Sequence, residues 1–243
     1  TAMEQERIRL QQKIDAAHRI VFFGGAGVST ESGIPDFRST DGLYNQKYQY
    51  PPETILSHTF YERYPEEFFR FYRDKMLYLD AQPNAAHKKL AELEKAGKLS
   101  AIVTQNIDGL HQKAGSKCVY ELHGSVLRNY CERCHKFYSA EDILHGDPVP
   151  HCTCGGRIKP DVVLYEEPLD QSVVLGAVEA ISRADLMIVA GTSLVVYPAA
   201  GLLQYFRGKD LVLINKTATS ADSRASLVIR EPVGEVLGQI TVS

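Results

Sequence analysis

The chain has 243 residues, 44% of them hydrophobic, enough to bury a full core in one large domain or in one domain carrying a small insertion. A net charge of −3 supplies no basic footprint for a nucleic-acid backbone, and no apolar run approaches the roughly 18 residues of a membrane span, so neither partner is expected. A weakly acidic surface does suit basic, lysine-containing polypeptides. Residues Thr1–Arg7 lack a basic segment followed by an apolar one, which argues against a secretory signal and makes the cytoplasm the expected compartment. A monomer is the expected state.

In chain order, Ile8–Ala17 reads as an amphipathic helix and Arg19-Ile20-Val21-Phe22-Phe23 as the first strand. The strand breaks into Gly25-Ala26-Gly27-Val28-Ser29. Such a turn exposes backbone N–H groups at the start of the next helix, where a pyrophosphate is favoured, so the chain is expected to hold a dinucleotide. The competing reading is that Gly25 and Gly27 only permit a tight turn. Thr30 stands at the third position after Gly27, where a hydride-transferring Rossmann domain has glycine, and Gly33-Ile34-Pro35-Asp36-Phe37-Arg38 follows instead.

Helical patterns continue at 65–79 and at 84–96, the latter opened by Pro83-Asn84, and the second strand is Ala101–Thr104. Further strands are expected at Val162–Leu164, Leu186–Ala190 and Leu211–Ile214, with helices at 170–183 and 198–206. Short continuous apolar runs mark strands buried on both faces of a parallel sheet; alternating with helices, they predict an α/β, doubly wound, Rossmann-like fold. More than 70 residues separate the first two strands, too many for one crossover helix. The expected organisation is a Rossmann-like dinucleotide-binding domain of 1–42, 98–124 and 161–243, a loop and helical insertion at 43–97, and a polar, Cys-rich module at 125–160.

Four of the five cysteines crowd that module. Cys131-Glu132-Arg133-Cys134 and, after seventeen intervening residues, Cys152-Thr153-Cys154 offer four thiolates to a tetrahedral ion, for which Zn²⁺ is the favoured metal. His151 also stands at x-x spacing before Cys154, so the fourth ligand is Cys152 or His151; Cys152 is favoured because a thiolate needs no orienting partner. Four protein ligands leave no open position, so the ion is expected to be structural. The competing reading, four reduced thiols in a loop, leaves a polar segment without a staple. Cys118 is expected to be a half-buried strand residue.

Thr104-Gln105-Asn106-Ile107-Asp108-Gly109-Leu110-His111 ends a predicted strand, where open α/β sheets bind ligands. Glu121-Leu122-His123-Gly124 closes another short strand, and Gly191-Thr192-Ser193-Leu194 closes the strand at 186–190. Together with Gly-Ala-Gly-Val-Ser, Gly-Ile-Pro-Asp-Phe-Arg and the cysteine pairs, these six motifs resemble, in order and along almost the whole chain, the sirtuins, the NAD-dependent protein deacylases.

The resemblance implies NAD as co-substrate and Zn²⁺ as structural metal. It gives Gly25, Ala26, Gly27 and Thr30 to the phosphate and ribose loop, and Phe37 and Arg38 to a loop over the nicotinamide end. Gln105, Asn106, Ile107 and Asp108 would line the nicotinamide pocket; Gly191, Thr192 and Ser193, with Asn215, would hold the adenosine half. His123, beside the cofactor, would be the general base, Asn106 would orient ribose and water, and Asp108 would hold the carboxamide. An acyl-lysine protein would lie as an added strand between Val162-Val163-Leu164-Tyr165 and Leu194-Val195-Val196-Tyr197. Taken singly, Phe37 is also ordinary core, Asn215 a turn residue, Ser193 a helix cap and His123 a satisfied histidine.

The implied reaction consumes NAD. The acyl oxygen attacks the anomeric carbon, nicotinamide leaves, and His123 takes a proton from a ribose hydroxyl so that the acyl group passes to ADP-ribose. A mono-ADP-ribosyltransferase or NAD glycohydrolase, and a zinc-ribbon module that senses NAD, are the alternatives. In family members that take dicarboxylic acyl chains a Tyr-x-x-Arg pair binds the distal carboxylate; here the aligned positions are Phe69 and Tyr72, with Arg73 one residue away, so acetyl is expected over succinyl or malonyl. Two positions depart from the family: Gly24 stands where many members have Thr, and Glu166 where an aromatic-Gly-Glu sequence has glycine.

Overall fold

The structure, a computed structural model, describes residues 2–36 and 48–243. Phe37 and Arg38 lie outside the described residues. In chain order the elements are α1 (Ala2–Ala16), β1 (Ile20–Gly24), α2 (Pro52–Ile55), α3 (His58–Arg63), α4 (Pro65–Lys75), α5 (Ala85–Lys95), β2 (Leu99–Thr104), α6 (Leu110–Lys113), β3 (Val119–Glu121), β4 (Gly124–Cys131), β5 (Phe137–Tyr138), α7 (Ala140–Leu144), β6 (Ile158–Val162), α8 (Gln171–Arg183), β7 (Leu186–Ala190), β8 (Asp210–Ile214), β9 (Leu227–Ile229) and α9 (Val233–Gly238). Three segments, Ala26–Val28, Thr30–Ser32 and Ala199–Tyr205, are 3₁₀.

A strand that is apolar on both faces needs cover on both, and the continuous runs receive it. Strands β1, β2, β7 and β8 form the centre of a six-stranded parallel sheet of order β3-β2-β1-β7-β8-β9. Phe22, Ile102, Ile188 and Val212 face one core with Leu10, Leu90 and Leu93 from α1 and α5. Phe23, Val103, Val189 and Leu213 face the opposite core with Ala177 and Ile181 of α8. Each such fully buried side chain contributes about 1.5–3 kcal/mol relative to exposure. Helix α5 starts where expected, because the Asn84 side chain accepts from Ala86 N at 2.9 Å and His87 Nδ1 accepts from Asn84 N at 3.1 Å.

One expected strand is placed differently. Val162 ends β6, which runs antiparallel to β4 in a second sheet of order β5-β4-β6, outside the parallel sheet. The signal for this lay upstream of the apolar run: Ile158, Pro160 and Val162 are buried while Lys159 is half-buried and Asp161 exposed, the period-2 alternation of a one-sided strand. Three further elements differ: α1 begins at Ala2 rather than Ile8, α4 stops at Lys75 rather than 79, and 199–205 is 3₁₀ rather than α.

Helices α2, α3 and α4 pack on the second sheet, not on the first. Phe60, Tyr61, Phe68, Phe69, Phe71 and Tyr72 share one core with Val126, Cys131, Ile158 and Leu164. Helix α5, at the end of the segment expected as an insertion, packs on the parallel sheet. No helix among the described residues is long and apolar enough to cross a membrane.

Two histidines are sealed in the core between α5 and α6. His87 and His111 have ring centroids 4.8 Å apart, and neither His111 nitrogen nor His87 Nε2 has a hydrogen-bond partner among the described residues. Burial holds His87 down at about 4, opposed by Asp108, and holds His111 down at about 3, assisted by His87. In the unfolded chain both titrate near 6.5. The unfolded state therefore binds more protons below that pH, and stability is full above about 6.5 and falls progressively towards pH 4. Denaturation midpoints measured across pH 4–8 should show this fall, and His111→Phe should make it shallower; an identical slope would assign the acid sensitivity elsewhere.

Candidate active site

The strand order reverses between β1 and β7, so the loops leaving their carboxyl ends diverge and open a crevice. Glycine brings the two loops together. Gly25 N donates to Ala190 O at 3.2 Å and Gly27 N to Gly191 O at 2.8 Å. A Cβ on Gly27 would lie 2.6 Å from Gly191 Cα, and Gly191 itself sits at φ +63°. The turn does not open into an α-helix, as the sequence suggests, but into the two 3₁₀ turns Ala26–Val28 and Thr30–Ser32. Three-residue turns carry little macrodipole, so an anion at this loop would meet single N–H groups rather than the end of an α-helix. Thr30 Oγ1 is turned back onto Gly27 O at 3.1 Å.

A cavity of about 810 Å³ occupies the crevice. Ala26 and Ser29 line it from the glycine turn, Gln105, Asn106, Ile107 and Asp108 from the end of β2, and Gly191, Thr192 and Ser193 from the end of β7. His123, between β3 and β4, reaches the same space. Its Nδ1 lies 3.0 Å from Gln105 O. A carbonyl only accepts, so Nδ1 carries the hydrogen and Nε2 the lone pair of the neutral ring. Asn106 Nδ2 donates to Gly25 O at 2.9 Å and Ser29 Oγ at 3.3 Å, while Ser29 Oγ donates to Asp108 Oδ2 at 2.6 Å. Ser29, 1% exposed, is thus a cavity residue that sequence reasoning left unassigned, although it ends the glycine motif. Gln105 Nε2, buried on the same wall, finds no acceptor among the described residues. A leftover donor of this kind fits a polar ligand such as a ribose.

Val162, Leu164 and Tyr165 line the same cavity with Leu56, Met76 and Val126. Gly25, Gly27 and Thr30 frame the crevice without lining it. Asn215 is buried behind it, its amide donating to Thr192 O at 2.9 Å and Thr217 O at 3.1 Å, so it stiffens the β7 and β8 loops. Val195 is 62% exposed and stands outside the wall, which Val196 and Tyr197 continue. Phe69 and Tyr72 are not brought to the cavity: both are fully buried in the aromatic core under α4. Arg73 is also occupied elsewhere, donating to Ile143 O at 2.7 Å, Pro148 O at 3.2 Å and Asp147 O. Helix α4 meets the cavity at its last residue, Lys75, followed by Met76.

The four Sγ atoms of Cys131, Cys134, Cys152 and Cys154 lie within 4.8 Å of one another, with Cys131–Cys154 and Cys134–Cys152 at 3.5 Å. Zn–S bonds of about 2.3 Å in a tetrahedron require S–S separations of about 3.8 Å, so the set fits Zn²⁺. Arg133 N and Cys134 N point at Cys131 Sγ at 3.3 and 3.4 Å, as turns that present a thiolate do. His151 is outside the set, its Nδ1 bonded to Val149 O at 2.9 Å. We expect one zinc per chain, lost in Cys152→Ala and kept in His151→Ala, measured by metal content; the reverse result would exchange the fourth ligand.

The Sir2 family model matches residues 25–198. The chain is 63% identical over 242 residues to an NAD-dependent protein deacetylase of Clostridium perfringens, covering 98% of this chain and 99% of that one. It is 45% identical over 238 residues to an NAD-dependent protein deacetylase of Staphylococcus aureus, covering 97% and 98%. Among solved structures it is similar to a Sir2 protein with deacetylated p53 peptide and 3'-O-acetyl ADP ribose, at TM-score 0.86 and 42% identity over 95% of each chain. It is also similar to Sir2Tm bound to a propionylated peptide, at TM-score 0.84 and 41% identity over 95% and 94%. The family match and the likeness in fold agree with the motif series, and the chain belongs to the Sir2 family, the sirtuins.

Proposed function

We propose that this chain is an NAD-dependent protein-lysine deacetylase, in which the acyl group passes from lysine to ADP-ribose and nicotinamide is released. The observation that carries the reading is the position of His123: its proton-accepting Nε2 belongs to a ring fixed on Gln105 O, in one cavity with Asn106, Asp108 and a strand segment at its mouth. NAD supplies an anomeric carbon activated by a cationic leaving group. Asn106 and Ser29, joined to each other and to the Gly25 carbonyl, orient the ribose, and Asp108, held by Ser29 and Leu110 N, receives the carboxamide. The acyl oxygen would bond to the anomeric carbon as nicotinamide leaves. His123 Nε2 would then take the proton from a ribose hydroxyl as that oxygen attacks the acyl carbon, and water would add to that carbon as the lysine amine departs and the acyl group stays on the ribose.

The acyl-lysine peptide lies as an added strand along Val162–Tyr165, opposite Leu194–Tyr197. The segment is rigid where it must be: Val163 N donates to His123 O at 2.9 Å and Tyr165 N to Leu56 O at 3.0 Å. NAD and a set of reduced thiolates suit the cytoplasm.

In His123→Ala, deacetylation should fall by roughly 10²–10⁴ while NAD binding and the thermal transition stay near wild type. Wild-type turnover in that variant would remove His123 from the chemistry. Mass analysis should find O-acetyl-ADP-ribose and nicotinamide; free ADP-ribose or labelled protein would mark a hydrolase or transferase instead. The aliphatic wall of Met76, Ile107, Val126 and Leu164 leaves a distal carboxylate poorly solvated, so acetyl-lysine should exceed succinyl-lysine in kcat/KM by at least about tenfold. A succinyl preference abolished by Lys75→Met would show that Lys75, not Arg73, supplies a cation.

A further inference from the structure

The mouth of the cavity is fastened by two consecutive carboxylates. Glu166 stands at φ +78°, in the left-handed region where the aromatic-Gly-Glu pattern has glycine, and its carboxylate accepts from Thr59 N at 2.8 Å and Thr59 Oγ1 at 3.1 Å. The charge that Glu166 adds to the groove is therefore directed onto the first turn of α3. Glu167 is more buried, with 17% of its side chain exposed. Its Oε1 accepts from Leu164 N at 2.9 Å and Lys159 Nζ at 3.3 Å, and its Oε2 pairs with His58 Nδ1 at 2.8 Å. Lys159 Nζ also donates to Val162 O at 3.2 Å, and His58 N to Tyr165 O at 2.9 Å. One carboxylate thus connects β6, α3 and the Val162–Tyr165 segment.

We propose that Glu167, held between His58 and Lys159, is a positioning residue that fixes the strand edge receiving the acyl-lysine peptide, and that peptide affinity follows the charge on His58. The proposal rests on the deacetylase reading for the identity of the peptide. The charged groups around His58 are Glu167 and Glu166 from the loop after β6, Glu62 on α3 at 3.8 Å from Nε2, and Lys159 on β6. The hydrogen bond that His58 donates to Glu167 holds the imidazole above its ordinary value; burial and Lys159 oppose this, and Glu62 assists it. The stronger ion pair is therefore present at lower pH and lost as pH rises through a value above 6.5. Glutamine at 167 keeps an acceptor for Leu164 N but no charge; alanine keeps neither.

The test measures KM for an acetyl-lysine peptide, KM for NAD and kcat between pH 6 and 9, with peptide affinity read separately by fluorescence anisotropy. In the wild type, peptide KM should rise about threefold to fivefold across that range, the scale of one partly exposed ion pair. Glu167→Gln and His58→Gln should each flatten the profile, with NAD KM and kcat within about twofold. Glu167→Ala should flatten the profile as well and bind peptide about tenfold more weakly than Glu167→Gln at every pH, as expected for the further loss of the hydrogen bond to Leu164 N. An unchanged pH profile in both glutamine variants, or an equal loss in NAD KM, would overturn the proposal. Absence of nicotinamide release by the wild type would overturn the deacetylase reading, while anisotropy, which needs no turnover, would still decide the positioning role.

Discussion

The close approach of two glycine-bearing loops is the constraint on which the site depends. Gly27 and Gly191 touch backbone to backbone, joined by a 2.8 Å hydrogen bond, because neither carries a Cβ. This contact ties the ends of β1 and β7 together where the strand order reverses, at the switch point where a parallel sheet opens a crevice. It also leaves Gly25 O facing Asn106 and places Ser29 against Asp108. A single methyl group at either glycine would separate the loops and dissolve that hydrogen-bonded set.

A second constraint comes from the aromatic core. Six buried rings from α3 and α4 pack against β4 and β6, so helices from residues 58–75 and a cysteine-stapled sheet from residues 124–162 form one body. The chain passes between this body and the parallel sheet around His123. Val126 N donates to Ile107 O and Val163 N to His123 O, and Gly124 fits so closely that a Cβ would lie 1.9 Å from Asp161 O. Arg128 spans the junction, pairing with Glu121 at 2.8 Å and Asp161 at 3.0 Å. His123 is therefore fixed by both bodies, its Nδ1 by Gln105 O and its carbonyl by Val163 N.

Much of this is legible in the sequence. Runs such as Leu186–Ala190 lie within the parallel sheet because a strand with no polar face has no other stable place. The cysteine spacing is local and survives into a tetrad of the right size. Val162–Leu164 misled because three apolar residues carry no period, and the alternation from Ile158 to Val162 has a proline, an unusual strand residue, at its central inward position. Phe69 and Tyr72 misled for a different reason. Helix α4 buries both rings in its own core, and a helical register read by analogy does not say which face meets the cavity.

By itself, then, the sequence determined what is set by short-range chemistry: the strand runs, the glycine turn, the cysteine pairs and the polar motifs at strand ends. Only the tertiary structure decided which partners those groups meet. Ser29 joins Asp108 across 79 positions, Glu167 joins His58 across 109, and Phe69 turns away from the cavity that its neighbour Met76 lines. Such pairings depend on how helices and sheets pack, and packing follows from the shape of the whole core rather than from any local pattern.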